Sequence, residues 1–385
     1  MATIVFVARR FHSNQSVLLR ELMRLGYGVH FFAEHVGQSE NHSTIQPHLL
    51  GKRRLPWPPF REVMSRFAVF PRGSVGRVLS PGPDVVIIRD FFLGSLLMSL
   101  ALRARGLRVI MYSQEQLDAQ PYPSWRALLH RLFGLTVITP TRAVQGGNAN
   151  GNRAGRSGPF GVQWHYLPFV ATTDANKEAV HKLRQLKSGD RPVRILTVGK
   201  FLPRKRLPEW ARLFADLRDQ YGPAMLTIVG AARKHELVWQ VEESARSNPG
   251  VRVLLDVPQE RMAEIYREHD LFVLPAIREF ASVSVLEAMA HGLPVICSSR
   301  NGTACYIENG GNGYLFDEDD WQQSLSACVG RALTDRGRLA DMGARSLELV
   351  RERHSIERWQ EWLRGLGIAE HAGQPHKNAV DEAPE

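Results

Sequence analysis

The feature that most constrains this chain is a repeated alternation of short apolar runs with helical periods, joined by short links. "TIVFVA" leads into a helix pattern from Ser16, "SVLLRELMRLG", which stops at Gly26 and is followed by "YGVHFFA". "DVVIIRD", the helix pattern "FFLGSLLMSLALRARG" and "RVIMYS" repeat the motif, and "LTVIT" adds a strand. Strand, helix and strand with short connections predict βαβ units on a parallel sheet. After a polar, charged segment from Thr172 to Pro192 the alternation resumes. "VRILTVG", "LPEWARLFADLRDQYG", "MLTIVG", "KHELVWQVEESARS", "VRVLL", "QERMAEIYREH", "LFVLPA", a helix about 283–291, "PVICSS" and "NGYLF" make a second doubly wound series.

At 385 residues the chain is too long for one ordinary core. The expected division is a Rossmann-like domain over 1–180, a second over 181–354, a carboxy-terminal helix over 355–368 that packs back toward the first, and a disordered tail over 369–385. Helices are expected at Asp320 to Thr334, from Arg336, and around Ile356 to Leu366; "AEHAGQPHKNAVDEAPE" has no apolar periodicity.

Charge is uneven. Residues 1–187 hold 24 Lys and Arg against 10 Asp and Glu, a net of +14, and residues 188–385 hold 25 against 29, a net of −4. A basic first half implies an anionic partner: phospholipid, nucleic acid or a phosphorylated acceptor. In "KRRLPWPPFR" the cations Lys52, Arg53, Arg54 and Arg61 flank Leu55, Trp57 and Phe60, a mixture that suits an anionic membrane surface. Aromatics packed back on the domain would explain the same stretch equally well. A nucleic-acid-binding protein is an alternative from a different class, but it needs stacking aromatics along a basic groove, and none stand in recognisable order. No nucleic acid is therefore expected.

The three cysteines, Cys297, Cys305 and Cys328, form neither a disulfide framework nor a metal spacing, which fits a reducing cytoplasm. In "MATIVFVARR" the arginines follow the apolar run, as in a first strand and unlike a signal peptide. Phe91 to Leu102, the longest uncharged apolar stretch, falls short of the ~20 residues that span a bilayer. The expectation is a cytoplasmic protein, soluble or peripheral on the inner face of a membrane. The Gly- and Asn-rich stretch 145–158 has no strand feeding it and no following Gly-Lys-Ser/Thr, so it reads as a loop and not a phosphate cradle.

"REFASVSVLEAMAHGLPVI" carries the chemistry. Ser282 is placed to N-cap a helix and Gly292 to stop it. The first N–H groups, at Val283 and Ser284, then form an anion site at the positive end of the dipole. Glu287 lies one turn further and leans back toward that mouth, while Glu279 overhangs it from the preceding loop. An anion beside two carboxylates describes a phosphorylated ligand whose hydroxyls need acceptors. "VGKFLPRKR" faces it after another strand, with Gly199 allowing close approach and Lys200 and Lys205 able to neutralise a diphosphate. The run "DEDD" at 317–320 invites a metal reading; N-capping and dipole complement for the next helix explain it better, and no metal or other cofactor is expected.

These motifs resemble those of the retaining glycosyltransferases of family 4, which have the GT-B architecture: α/β, two doubly wound Rossmann-like domains facing across a cleft. The family pattern is V-G-R-x-x-x-x-K after the first strand of the second domain, and E-x7-E running into L-E-A-M-A-x-G-x-P-V. Here stand Val198, Gly199, Lys200 in place of Arg, Lys205, Glu279, Glu287 and "LEAMAHGLPVI". The resemblance covers roughly 193–316 and extends to the first domain only in architecture. It implies a metal-independent hexosyltransferase in which Lys200 and Lys205 hold the donor diphosphate and act with Glu279 in catalysis. Glu279 would bind sugar hydroxyls beside the N–H groups of Phe280, Ala281, Ser282, Val283 and Ser284. Glu287 would bind the ribose and Val257 would face the base. The first domain would take the acceptor, a cell-envelope polysaccharide or lipid-linked saccharide. A GT-B-like sugar-nucleotide epimerase is the alternative on the same fold. Three departures stand out: "RRFHSNQS" replaces the glycine pair after the first strand, "YSQEQ" with Ser113, Gln114 and Glu115 replaces a histidine, and Cys305 replaces a loop glutamate.

Overall fold

A computed structural model describes residues 1–11, 15–36, 42–51, 69–89, 92–114, 134–142, 164–173, 191–231 and 236–369. The basic stretch 52–61, the Gly- and Asn-rich stretch 145–158, Glu115 and residues 370–385 lie outside the described residues. The chain divides into two compact units, Met1–Tyr112 with Ile356–Glu385, and Ser113–Ser355.

The first sheet contains β1 (Thr3–Arg10), β2 (Gly28–His35), β3 (His48–Leu49), β4 (Val85–Arg89), β5 (Arg108–Tyr112), β6 (Thr136–Thr139) and β7 (Trp164–Tyr166). Its order is β3-β2-β1-β4-β5-β6-β7. The described pairings are parallel, and β1 is apolar from Ile4 to Ala8 and β4 from Val85 to Ile88 because a parallel sheet is covered on both faces. Helices α1 (Ser16–Arg24), α2 (Ser74–Leu79) and α3 (Leu93–Arg103) intervene. In the same compact unit, Arg108 donates a guanidinium hydrogen bond to the Leu366 carbonyl.

The second sheet contains β8 (Val193–Val198), β9 (Ala224–Gly230), β10 (Val251–Leu255), β11 (Leu271–Leu274), β12 (Val295–Ser298) and β13 (Gly313–Phe316), ordered β10-β9-β8-β11-β12-β13. Its helices are α4 (Leu207–Tyr221), α5 (Glu236–Ser247), α6 (Gln259–Glu268), α7 (Val283–Ala290), α8 (Trp321–Thr334) and α9 (Arg336–Arg353). A last helix, α10, runs Glu357–Gly365. No helix among the described residues is long and apolar enough to cross a membrane, and the three cysteines are buried and free.

Local chemistry explains these boundaries. Pro208 stands in the first turn of α4, where its missing N–H costs nothing, and Gly222 ends the helix at φ 98°. Trp210, Phe214 and Leu217 recur on one face and enter the core with Ile195, Leu226, Ile228 and Val273. One polar chain crosses that core: the Trp210 indole N–H donates to Thr197 Oγ1 at 3.0 Å, and the Thr197 hydroxyl donates to the Val273 carbonyl at 2.8 Å. It ties α4 to β8 and β8 to β11.

Thr197→Val keeps the shape and removes that relay, leaving a buried indole N–H without an acceptor. Its cost is expected to be about 1–3 kcal/mol, read as a lower urea midpoint at unchanged slope.

Candidate functional site

From β8 the crossovers run one way, to β9 and β10, and from β11 they run the other, to β12 and β13. This reversal leaves a crevice outside the carboxyl ends of β8 and β11, the place where open α/β sheets bind ligands. Both loops singled out from the sequence leave from it. Gly199–Lys205 follows β8, and the loop through Glu279 joins β11 to α7.

Pro203–Lys205 forms a single 3₁₀ turn before α4. The stem of Lys205 lies across Gly199, where an added Cβ would meet its Cδ at 3.5 Å. Lys205 is 7% exposed, and its Nζ is 2.8 Å from Oε2 of Glu279, itself 8% exposed. Arg204 donates through Nη1 to that same oxygen. One carboxylate oxygen therefore carries two cations. Burial pulls the Lys205 pKa below its usual value, the Glu279 charge pulls it back up, and the neighbouring Arg204 adds to the lowering.

The backbone fixes this geometry from two sides. The Ile277 N–H donates to the Arg204 carbonyl at 2.9 Å, and the Gly302 N–H donates to the Glu279 carbonyl at 3.0 Å. A Cβ on Gly302 would lie 1.6 Å from the Phe280 carbonyl oxygen, so no other residue fits there without moving the Glu279 loop. Non-glycine residues with positive φ also gather at this edge: Arg206 at 54°, Asp256 at 50° and Arg278 at 52° follow β8, β10 and β11. Each costs of order 1 kcal/mol or more, and such strain collects at functional sites.

Helix α7 starts at Val283 as expected and ends at Ala290, one residue early. Gly292 at φ 72° closes it: the Leu293 N–H reaches the Ala288 carbonyl and the Gly292 N–H the Met289 carbonyl. The expected capping role of Ser282 needs correction. Ser282 holds the N-cap position, but its hydroxyl pairs with that of Ser284 at 2.9 Å and makes no bond to the helix backbone. The first N–H groups of α7 thus keep no side-chain cap from Ser282. Phe280 is 67% exposed and Ala281 half-buried at this mouth.

Glu287 is half-buried one turn into α7, and its Oε2 accepts the Tyr266 hydroxyl from α6 at 2.8 Å. The Tyr266 ring stacks on His291, centroids 5.1 Å apart, and His291 Nδ1 meets the Glu287 carbonyl at 2.7 Å. Burial raises the Glu287 pKa, and the Tyr266 hydrogen bond opposes that rise.

Lys205 and Glu279 are therefore in contact, with Glu287 on the helix that follows. Lys200 is exposed just past β8, where its carbonyl accepts the Leu202 N–H. Val257 is half-buried beyond β10, two strand spacings, about 10 Å, from β8. Ser113 is buried and Gln114 half-buried; the Gln114 carbonyl accepts the Thr141 hydroxyl. Cys305 is buried, its Sγ donating to the Gly302 carbonyl at 3.3 Å, and burial raises its pKa. The acidic run also needs correction. Asp320 is the N-cap of α8 without a side-chain cap bond, and Glu318 reaches instead to the Arg278 N–H and the Ser298 hydroxyl. Among the described residues no three His, Cys, Asp or Glu side chains group as metal ligands would.

Sequence reasoning missed Arg204, Gly302, Tyr266 and Glu318. Arg204 adjoins Lys205 and was within reach of it; the other three join the site through contacts distant in sequence.

Residues 181–348 match the family model of glycosyl transferases group 1. The chain is 27% identical over 224 residues to the GDP-mannose-dependent alpha-(1-6)-phosphatidylinositol monomannoside mannosyltransferase of Mycolicibacterium smegmatis, covering 55% of this chain and 56% of that one. It is 30% identical over 161 residues to the D-inositol 3-phosphate glycosyltransferase of Nocardia farcinica, covering 39% and 35%. It is 30% identical over 144 residues to the amylovoran biosynthesis glycosyltransferase AmsK of Erwinia amylovora, covering 36% and 35%. The chain thus spans about half the length of the first of these relatives and about a third of the other two. Among solved structures, sucrose-phosphate synthase from Thermosynechococcus elongatus superposes with a TM-score of 0.64 at 16% identity, covering 95% of this chain and 99% of that one. Anabaena HepE in complex with UDP gives 0.64 at 14%, with the same coverage. The fold is GT-B.

Because burial raises the Glu287 pKa, the folded state holds that proton more tightly than the unfolded chain. The contribution of Glu287 to stability is full below the ordinary carboxylate range and is lost as pH rises through its folded value. Glu287→Gln keeps the acceptor for Tyr266 and removes the charge. Unfolding at a series of pH values should show the variant more stable than the parent near neutrality, with the gap closing as pH falls.

Proposed function

We propose that this protein is a retaining, metal-independent glycosyltransferase moving a hexose from a nucleoside-diphosphate sugar to a cell-envelope polysaccharide or lipid-linked acceptor. The single observation that carries the proposal is the pairing of Lys205 and Arg204 with Glu279 at the crossover crevice of the second sheet. A buried ion pair is a poor way to stabilise a fold, because desolvation consumes most of the Coulombic gain. It is a good way to keep two cations and a carboxylate poised for a ligand that takes both.

The chemistry follows from those groups. The donor diphosphate draws Lys205 and Arg204, with Lys200 and the amino terminus of α7 adding positive potential. Glu279, relieved of one or both cations, accepts hydroxyls of the sugar, and Glu287 accepts those of the ribose, with the base toward Val257. As the bond from the anomeric carbon to the phosphate oxygen breaks, charge collects on the leaving diphosphate, where the cations are already fixed. The acceptor oxygen bonds to the anomeric carbon on the departing face, and its proton passes to the leaving phosphate. Charge neutralisation by side chains leaves no step that needs a divalent ion.

The acceptor class draws on the relatives, whose names include a phosphatidylinositol monomannoside mannosyltransferase and an amylovoran biosynthesis enzyme. The excess charge of the first half suits an acceptor at an anionic surface.

A thermal-shift panel of nucleotide sugars should reveal a stabilising donor, and the absence of any would end the proposal. Lys205→Ala should lower kcat/KM by about 10- to 100-fold, and Arg204→Ala by about 10-fold, as loss of a charge-assisted phosphate contact predicts, while EDTA leaves the parent rate unchanged. The peripheral-membrane part is tested separately. The protein should float with anionic liposomes at low salt and release as salt rises, and failure to float would remove that part alone.

A further inference from the structure

The acidic run 317–320 plays no part in the proposed reaction, yet one of its carboxylates holds the loop that carries Glu279. Glu318 Oε1 accepts the Arg278 N–H at 3.0 Å and the Ser298 hydroxyl at 2.5 Å. Arg278 is the residue before Glu279 and sits at φ 52°, a conformation that an arginine adopts only when its surroundings impose it. We infer that Glu318 is a positioning residue: it locks the left-handed Arg278 turn and thereby sets where the Glu279 carboxylate stands.

Both ends of this strut are anchored. Ser298 closes β12 and is fully buried, so its hydroxyl is a fixed point. The Glu318 segment is pinned on either side: the Ser299 N–H donates to the Phe316 carbonyl at 2.9 Å, and the Arg300 guanidinium clasps Asp319, with Nη1 to Oδ1 at 2.8 Å. Asp319 in turn bonds through its N–H to Asp317 at 3.1 Å. Without Glu318 the Arg278 N–H loses its acceptor and the strained turn is free to relax to negative φ. A turn change there swings the next side chain, and Glu279 would leave the position in which it meets Lys205 and Arg204. Hydrogen-bond acceptance, not charge, is the property that this role needs.

The role rests on Glu279 being the sugar-binding carboxylate, so the test separates the two claims. Glu318→Gln keeps an oxygen at the accepting position, and Glu318→Ala removes it. Hydrogen exchange across residues 277–284 needs no ligand. Exchange should quicken about 10-fold in Glu318→Ala and stay at the parent rate in Glu318→Gln, with circular dichroism unchanged in both. With UDP-glucose and GDP-mannose as probes, Glu318→Ala should weaken the productive sugar nucleotide about 10-fold while the affinity for UDP or GDP alone moves less than about 2-fold. These factors follow from the net contribution of one hydrogen bond, which the Gln variant keeps and the Ala variant loses. Unchanged exchange in Glu318→Ala, or equal defects in the Ala and Gln variants, would overturn the positioning role, as would parallel loss of UDP and sugar-nucleotide affinity. If the parent protein binds neither sugar nucleotide, the proposed function falls and the exchange result still decides whether Glu318 holds the turn.

Discussion

One oxygen, Glu279 Oε2, organises the second unit around it. Lys205 approaches it at 2.8 Å and Arg204 donates to it as well, with Lys205 and Glu279 both nearly shut off from water. Two cations on one carboxylate leave a net positive charge, so the cluster is unfinished electrostatically without an anion. Desolvation outweighs ion pairing at Lys205 and lowers its pKa even against the carboxylate it touches. Holding such a group charged is costly, and the structure around it consists largely of devices that bear the cost: the 3₁₀ turn, the backbone bond from Ile277 to Arg204, and the close fit of Gly302 beneath Phe280.

The sheet order makes this possible. Reversal of the crossover direction between β8 and β11 opens a crevice at that edge, and the loops that follow these two neighbouring strands both leave from it. The Thr197 relay joins β8, β11 and α4 below that point, so the loops are mounted on strands whose spacing is fixed by buried hydrogen bonds. Arg206 and Arg278, each in left-handed backbone, stand beside Lys205 and Glu279 at the ends of these loops. The strain is tolerated because neighbouring contacts over-determine it; Glu318 does so for Arg278.

Much of this was legible from the sequence, and for physical reasons. The strands and helices of the second unit follow from periodicity because both faces of a parallel sheet are buried, and Gly292 announced the end of α7 through a conformation only glycine adopts cheaply. Glu279 and Glu287 stood out because carboxylates beside an apolar helix demand partners, and Lys205 only through them, since a lysine in a strand-to-helix loop is ordinarily solvated. Arg204 did not, since an arginine in a basic loop looks the same whether solvated or engaged. Ser282 shows the limit of local rules: it occupies the cap position, yet a nearby hydroxyl, Ser284, outcompeted the backbone for its side chain. The acidic run misled in the same way. Asp320 is where a cap belongs, while Glu318 reaches a loop 40 residues earlier, a pairing created by the strand order β11-β12-β13, which sets the end of β13 two strands from the end of β11. Gly302 and Tyr266 were likewise invisible because their partners, Phe280 and Glu287, meet them only through the tertiary fold.

The exchange of an arginine for Lys200 bears on how the proposed donor is held. An ammonium is a compact point charge, whereas a guanidinium presents paired donors that match two phosphate oxygens. On the proposed function, losing that fork at position 200 would leave the diphosphate neutralised but poorly oriented. Arg204 carries a guanidinium fork four residues later, on the same loop, and its side chain is 42% exposed where that of Lys205 is 8% exposed. Lys205 is the more enclosed of the two cations on Glu279. On the proposed function, an exposed guanidinium and a buried ammonium sharing one carboxylate would let donor entry proceed in two stages: Arg204 would capture the diphosphate near the surface, and Lys205 would be engaged as Glu279 passes to the sugar. Burial would then set the order, because the cation that is still partly hydrated leaves its partner at the lower desolvation cost.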